Sequence, residues 1–270
     1  MSPNTPRWLG HFRFTEPPFD KSIDDDALWM PSSRQHVVDQ LVEAVQERQH
    51  VLLTGEPGIG KTCVLRAVRH CLQQGFRLTY CHNATLGRRD FYRQLCLAIG
   101  LSPKATAAAV FYAVSTHVQE LAREQVHPVF LLDEAHLLHQ DVLDHLHIVT
   151  NYEWDRAPLL SLVLVGLPDL RDRLQLRRNR SFWTRLHVRL ALADALPEDT
   201  VEYVQYRLKR AGGDVDLFSS DALAMLHEAS DGHLRSIDRL ATMALKAAAR
   251  RKLKRVDREL VQHVAAEGGR

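Results

Sequence analysis

A phosphate-loop motif, placed directly after a short apolar run, constrains this chain more than any other feature. Residues 55–62 read GEPGIGKT and match the pattern G-x-x-x-x-G-K-[ST]. The glycines let successive backbone N–H groups turn inward as an anion nest, and a helix that starts near Lys61 adds its positive dipole end. Lys61 supplies a charge for the β- and γ-phosphates, and Thr62 supplies a hydroxyl for Mg²⁺. The sequence therefore predicts ATP and Mg²⁺ as cofactors. The predicted nucleotide-binding residues of the loop are Gly55, Glu56, Pro57, Gly58, Ile59, Gly60, Lys61, Thr62 and Cys63.

An acidic pair, Asp133 and Glu134, follows a second apolar run at residues 129–132. Ligands of parallel α/β sheets bind beyond the carboxyl ends of the strands, so we expect this pair to face the phosphate loop. Asp133 would hold the Mg²⁺ shell, and Glu134 would polarise the water that attacks the γ-phosphate. Residues 133–136 also spell the DEAH of helicases, but the remaining chain is too short for a second motor domain.

Apolar runs and helical patterns alternate through the first two thirds of the chain. Strands are predicted at 51–54, 77–81, 129–132, 159–165 and 186–192. This alternation is typical of an α/β fold in which helices flank a parallel sheet. After Pro197 the pattern becomes all-helical, with helices predicted at 199–211, 220–229, 234–250 and 257–266. The predicted domains are an irregular N-terminal segment (1–31), an α/β nucleotide-binding domain (32–196) and a small helical lid domain (197–270).

Composition excludes few classes of protein. Of the 270 residues, 45% are hydrophobic and 25% charged, as in an ordinary folded protein, and the net charge of +2 gives no bulk attraction for nucleic acid. The four cysteines lack the spacing of a zinc site and are expected to be reduced, buried thiols. The longest apolar run, residues 158–168, is too short to span a bilayer, and the N-terminus lacks the apolar core of a signal peptide. A cytoplasmic protein with no membrane partner is expected.

Arginines concentrate in one stretch of the α/β region. Seven lie between positions 171 and 189, with Asp172 as the one acid among them. Such a run is either a solvated face or the source of an arginine finger that a neighbouring subunit delivers to the transferring phosphoryl group. Arg185 is the first candidate for the finger, and Arg180 and Arg178 follow. In the helical region, Arg235 stands at a helix start and is either a surface residue or a sensor of the γ-phosphate.

Several separate blocks of sequence, in order, resemble one family. They are Phe14 with Pro18 and Phe19, the phosphate loop, and residues 133–136, 166–170, 185–186, 203–212 and 232–240. The set is similar to the ExeA-type AAA+ ATPases and, through them, to transposon-encoded ATPases of the TniB and TnsC kind. The likeness covers about residues 12 to 265.

The resemblance implies an ATP-dependent homo-oligomer, either a ring or a helical filament, on double-stranded DNA that recruits and stimulates a DDE transposase. It assigns Glu134 as the hydrolytic residue, Arg185 as the finger and Arg235 as the second sensor. One position departs from the family pattern: Leu167 stands where a polar glutamine is usual, which predicts slow hydrolysis. A type II secretion ATPase and a non-hydrolysing ATP switch remain alternatives.

Two groups of basic residues are candidates for binding the DNA backbone, because cations that displace counterions bind a duplex without reading its sequence. The first group is Arg88, Arg89 and Arg93, and the second is Arg251, Lys252 and Lys254 within a basic stretch at 246–258. A solvated helix end is the alternative for the second group. The sequence carries no helix-turn-helix or zinc-finger signature, so weak sequence preference is expected.

Overall fold

The computed structural model describes residues 6–72, 74–81, 87–98, 107–150 and 158–268. The chain divides into two compact units. The sheet unit comprises Ser32–Glu56 and Lys61–Leu192, and the helical unit comprises the N-terminal segment up to Pro31, Pro57–Gly60 and the chain from Ala193 onward.

The sheet unit is built on five parallel strands in the order β2-β3-β4-β1-β5. The strands are β1 (His50–Thr54), β2 (Phe76–Cys81), β3 (His127–Leu132), β4 (Ser161–Gly166) and β5 (Leu186–Ala191). Every residue of the three central strands is buried, which is expected where helices cover both faces of a sheet. All five predicted strands are therefore present, with ends that differ from the prediction by one or two residues.

Seven helices accompany these strands in the described part of the sheet unit. They are α2 (Ser32–Gln46), α3 (Lys61–Cys71), α4 (Arg88–Ala98), α5 (Ala107–Arg123), α6 (Gln140–Val149), α7 (Asp169–Gln175) and α8 (Arg180–Trp183). The apolar faces of α4 to α8 pack on the sheet around fully buried side chains such as Phe130, Leu164 and Phe182. The predicted fold class, a parallel sheet flanked by helices and followed by a helical region, is confirmed.

The helical unit contains the predicted four C-terminal helices and one that the sequence did not predict. They are α1 (Arg7–His11), α9 (Pro197–Arg210), α10 (Ser220–Ser230), α11 (Leu234–Arg250) and α12 (Arg258–Gly268). Side chains cap two of them: Ser219 Oγ accepts from the Ala222 N–H at 3.1 Å, and Asp257 Oδ1 accepts from the Leu260 N–H at 2.9 Å.

The N-terminal segment is more ordered than its proline content suggested. Besides α1 it forms a 3₁₀ turn at Asp25–Ala27, and Leu9, Phe14, Phe19 and Trp29 are buried among the side chains of α9–α12. An irregular segment was predicted because single apolar residues between prolines carry no periodicity. Burial against the helices supplies the order that the local sequence does not.

Three smaller predictions also need comment. Helices were also predicted at 90–99 and 105–123 and correspond to α4 and α5, but the predicted end at Ile99 and the predicted start at Ala105 lie outside the described residues. The expectation that the cysteines are buried was only partly right: Cys81 and Cys96 are buried, whereas Cys71 is exposed at the end of α3. Over the described ranges, no helix is both long enough and apolar enough to cross a bilayer.

Candidate functional site

The phosphate loop joins β1 to α3, and its backbone explains its glycines. Gly58 has φ +82° and Gly60 has φ +106°, values that side-chain-bearing residues rarely adopt. The Gly55 N–H donates to the Gly166 carbonyl of β4 at 3.2 Å, which fixes the start of the loop against the sheet. Since α3 begins at Lys61, the N–H groups of its first turn, which have no acceptor within the helix itself, lie at the end of the loop.

Lys61 lies at that helix start with only 7% of its surface exposed. Its Nζ donates to the main-chain carbonyls of Gly55 at 2.8 Å and Glu56 at 2.9 Å. The buried ammonium is thus held by the loop itself, at the place where phosphate oxygens would be bound. Thr62 follows with an exposed side chain, and Cys63 is half-buried.

Asp133 follows β3 and is buried, and both oxygens of its carboxylate accept hydrogen bonds. Tyr80 Oη donates to Oδ2 at 2.7 Å, and the Glu134 N–H donates to Oδ1 at 2.9 Å. Burial, reinforced by the hydrogen bond to Asp133, raises the pKa of Tyr80 above its usual value, so the phenol remains a donor. The carboxylate is therefore fixed in orientation, and with the Thr62 hydroxyl it offers the hard oxygen ligands that suit Mg²⁺.

Tyr80 was not among the predicted site residues. It lies in β2, and strand pairing places it opposite Leu131, two residues before Asp133. The only signal in the sequence was a polar group near the end of a strand that proved to be the neighbour of β3.

Glu134 adopts a left-handed backbone conformation, with φ 52° and ψ 34°. For a residue with a side chain this costs on the order of 1 kcal/mol, and such strain is concentrated at functional sites. The turn leaves the carboxylate exposed, whereas the adjacent Asp133 is buried. His136 Nδ1 lies 3.6 Å from Glu134 Oε2.

The strand order explains how the loop and the acidic pair come to share one edge of the sheet. Strands β1, β4 and β3 are consecutive neighbours and parallel, so their carboxyl ends leave the sheet on the same side. Neighbouring strands are about 4.8 Å apart, which separates the ends of β1 and β3 by roughly 10 Å. Leu167 follows β4 between them and is half-buried.

Three residues of the arginine run have structural partners, and two others are finger candidates that lie at or next to secondary-structure elements. Arg173 donates to the carbonyls of His136 and Leu138, Arg178 forms a 2.8 Å ion pair with Asp144, and Arg189 stacks 3.9 Å above the Trp183 ring. Arg180 starts α8 with an exposed side chain, and Arg185 is half-buried just before β5. The ion pair with Asp144 makes Arg178 a weaker candidate for a finger.

Arg235 lies in the helical unit. The loop residues Pro57–Gly60 belong to the same unit. Its backbone N–H donates to the Gly58 carbonyl at 3.1 Å, and a Cβ on Gly58 would lie 2.9 Å from the Arg235 Cβ. Its side chain is exposed near the start of α11.

Two hydrogen bonds anchor α11 one turn further along. Tyr203 Oη donates to Asp238 Oδ1 at 2.6 Å, and Arg207 Nη1 donates to Tyr203 Oη at 2.9 Å. The position of Arg235 beside the loop glycine is therefore supported by a buried network from α9.

The basic residues predicted to bind DNA differ in their surroundings. Arg251, Lys252 and Lys254 are exposed directly after α11, where the negative end of the helix dipole favours cations. Arg89 is exposed on α4, but Arg93 lies 3.4 Å from the Asp90 carboxylate. The side chain of Arg88 lies outside the described residues. The stretch after α11 is thus the stronger candidate surface.

Comparison with known sequences agrees with this architecture. Residues 42–174 match the family model described as AAA domain. A curated relative, the general secretion pathway protein A of Aeromonas hydrophila, is 32% identical over 240 residues, which cover 88% of this chain and 44% of that protein. The chain therefore spans less than half the length of the curated relative that it matches. The match supports the predicted likeness to ExeA-type ATPases, whereas the likeness to TniB and TnsC stays a prediction.

Solved structures show the same fold at low sequence identity. Cdc6p of Pyrobaculum aerophilum has a TM-score of 0.66 at 19% identity and covers 88% of this chain and 67% of its own. The Drosophila ORC bound to DNA has a TM-score of 0.72 at 18% identity, covering 100% of this chain and 68% of its own. The RuvB Holliday junction branch migration motor of Thermotoga maritima has a TM-score of 0.60 at 19% identity, covering 92% of this chain and 72% of its own. These likenesses show the fold of the AAA+ P-loop ATPases.

Proposed function

We propose, on the premise that residues 42–174 of this chain form an AAA domain, that the protein binds ATP with Mg²⁺ and hydrolyses it. One observation carries the proposal: the strand order places the phosphate loop and the Asp133–Glu134 pair at the same edge of one parallel sheet. The buried ammonium of Lys61 and the fixed carboxylate of Asp133 are the charges that a magnesium nucleotide requires.

Different residues of this site bind the phosphates, bind Mg²⁺ and activate the water. Lys61 and the N–H groups of the loop bind the β- and γ-phosphates, while Thr62 and Asp133 hold Mg²⁺, directly or through its water shell. The ion, when bound, neutralises charge that develops on the phosphate oxygens. Glu134 orients a water and takes its proton as the water oxygen attacks the γ-phosphorus, and ADP leaves. The left-handed backbone at Glu134 directs its carboxylate outward for this task.

Calorimetry with ATP and Mg²⁺ tests the nucleotide site. Replacement of Lys61 by alanine removes the ammonium and should weaken binding by at least about a hundredfold, or about 2.7 kcal/mol. Cys71→Ala, at the exposed far end of α3, is the matched control and should bind as the parent does. If the folded parent protein takes up no ATP in the presence of Mg²⁺, the proposal is wrong.

We further propose that ATP drives assembly of the chain on double-stranded DNA, where the oligomer recruits a DDE transposase. The exposed basic residues after α11 support backbone binding, because several cations on one surface displace condensed counterions. A monomer with a net charge of +2 gains little from this, whereas an oligomer sums the contacts of each copy. The 32% identical secretion protein favours a second candidate, an ATPase subunit of a secretion system that binds protein rather than DNA.

A binding assay with random duplex DNA separates the two candidates. If the protein acts on DNA, binding to the duplex should require a non-hydrolysable ATP analogue. The affinity should fall as the salt concentration rises. The triple replacement of Arg251, Lys252 and Lys254 by alanine should then reduce the slope of log K against log salt by up to about 3 per copy. The exposed α2 residues Gln35, His36 and Gln46, replaced by alanine, provide a matched triple control. A protein that binds ATP but does not bind DNA at low salt would support the secretion hypothesis instead.

A further inference from the structure

We propose that the His136 imidazole positions the Glu134 carboxylate for its work on ATP, an inference that rests on the ATPase activity proposed above. His136 lies in the 3₁₀ turn Ala135–Leu137, directly after the acidic pair. In the sequence, His136 was noted only as the last residue of the DEAH motif, and no role was predicted for it.

The imidazole lies close to the Glu134 carboxylate but does not yet form a hydrogen bond with it. Its side chain is 11% exposed, and Nδ1 lies 3.6 Å from Glu134 Oε2, just beyond hydrogen-bond distance. Nδ1 is itself buried and has no hydrogen-bond partner in the part of the chain that the structure describes. A buried polar atom without a partner is rare and destabilising, so a bond to the neighbouring carboxylate is favoured. Glu134 is 52% exposed and can rotate to make it.

Two contacts hold His136 in place, so the adjustment falls to Glu134. The Arg173 guanidinium donates to the His136 carbonyl and, at 2.9 Å, to the Leu138 carbonyl, which clamps the 3₁₀ turn to α7. On the other side, a Cβ on Gly166 would lie 3.1 Å from the His136 backbone N and 3.4 Å from its Nδ1. The end of β4 therefore packs directly against the imidazole, and glycine there leaves the room that the ring occupies.

The residue that follows β4 cannot itself position the Glu134 carboxylate. Leu167, the next residue after Gly166, places an apolar side chain where β4 leaves the sheet between the loop and the acidic pair. Leucine can neither donate to a carboxylate nor orient a water. His136 supplies the polar group at this place from the adjacent turn. With the proton on Nδ1, the imidazole donates to one oxygen of Glu134 and leaves the other oxygen free to take the proton of the attacking water.

The test compares two replacements of His136 that differ in hydrogen bonding. His136→Leu keeps bulk but removes the donor, and we expect kcat to fall about tenfold to a hundredfold, as when a catalytic group is misplaced. His136→Asn restores an N–H donor and should recover kcat to within a few-fold of the parent protein. The Kd for ATP should be unchanged in both variants, because within the described residues no hydrogen bond or ion pair joins His136 to the phosphate loop. If His136→Leu fails to fold, His136→Phe keeps a flat ring without a donor and takes its place.

A second pair of measurements separates this inference from the function on which it rests. In a Glu134→Gln background, His136→Leu should leave the small residual turnover unchanged, since the carboxylate to be positioned is gone. A parent protein that does not hydrolyse ATP would overturn the proposed function. An active parent whose Glu134→Gln variant is inactive, while His136→Leu keeps full kcat, would overturn the role of His136 alone. Equal losses of kcat in His136→Leu and His136→Asn would also overturn it, because they would assign the effect to shape.

Discussion

A buried histidine at the start of β3 makes the stability of the sheet unit depend on pH. His127 is 6% exposed, and its Nε2 lies 2.9 Å from Ser161 Oγ at the start of the neighbouring β4. Burial, with a smaller contribution from the charge of Arg48, lowers the pKa of His127 from 6.5 to about 4. The folded protein therefore holds this imidazole neutral at pH values where the unfolded chain would protonate it.

Stability should fall as the pH falls through this window. Between pH 6.5 and 4 the unfolded state binds one more proton at this residue, so the free energy of unfolding should drop by about 1.4 kcal/mol per pH unit from this group. His127→Asn keeps a polar partner for Ser161 without titrating. Urea denaturation of both proteins at pH 7 and pH 5 measures the difference. Identical pH dependence in parent and variant would show that the imidazole does not titrate in this way.

Single residues also set the limit of what the sequence could predict about the site. Lys61 and Asp133 could be predicted because each belongs to a motif whose spacing is local: a glycine-rich turn before a helix, and an acid at the end of an apolar strand. Tyr80 was not predicted, because its hydrogen bond to Asp133 depends on β2 and β3 being neighbours in the sheet. No local pattern encodes a strand order.

At the scale of elements, glycine follows the ends of α9 and α10, and this made those helix ends predictable. The bounds of α11, Leu234–Arg250, match the prediction, and Gly212 and Gly232 follow α9 and α10 with φ of +76° and +70°. Helix α1 was missed because its five residues contain one buried side chain, Leu9, and no cap that a sequence pattern could reveal. Short elements that depend on tertiary contacts leave no such signal.

These two glycines allow a matched test of a close backbone approach. A Cβ on Gly232 would lie 2.4 Å from the Ala195 carbonyl oxygen, whereas one on Gly212 would meet nothing nearer than Thr15 Cγ2 at 3.5 Å. Gly212→Ala should cost about 1 kcal/mol for the left-handed backbone alone. Gly232→Ala should cost roughly 1–3 kcal/mol more, since the main chain must move. Urea denaturation of the two variants measures the difference in their free energies of unfolding. Equal losses of stability would contradict the expected clash at Gly232.

At the scale of the whole molecule, the proposed finger divides the active site between two copies of the chain. The phosphate loop, Asp133 and Glu134 belong to each copy, whereas the proposed finger, Arg185, would act on the nucleotide of a neighbour. A contact of this kind is head-to-tail and can close into a ring or continue as a filament. Turnover should therefore depend on protein concentration.

Mixing two inactive variants tests the finger directly. Arg185→Ala and Glu134→Gln should each be inactive alone, because one lacks the finger and the other lacks the base. In an equal mixture roughly a quarter of the contacts pair an intact Glu134 with an intact Arg185, so about that share of turnover should return. Arg189→Ala, which removes a cation stacked on Trp183 and its hydrogen bond to the Trp183 carbonyl, is the control and should be active by itself. A mixture that stays inactive would place the finger elsewhere or within the same chain.

The burial of the N-terminal segment affects how any shortened form of this protein is to be understood. Arg207 is 5% exposed, and its guanidinium donates to the Pro18 carbonyl at 2.7 Å and to the Asp20 carbonyl. Cutting the chain back to Ser32 would remove those acceptors together with the aromatic rings of Phe14, Phe19 and Trp29. Loss of ATPase or DNA binding in such a truncation would then report damage to the interior of the helical unit. It would not reveal a ligand-binding role for the residues cut away.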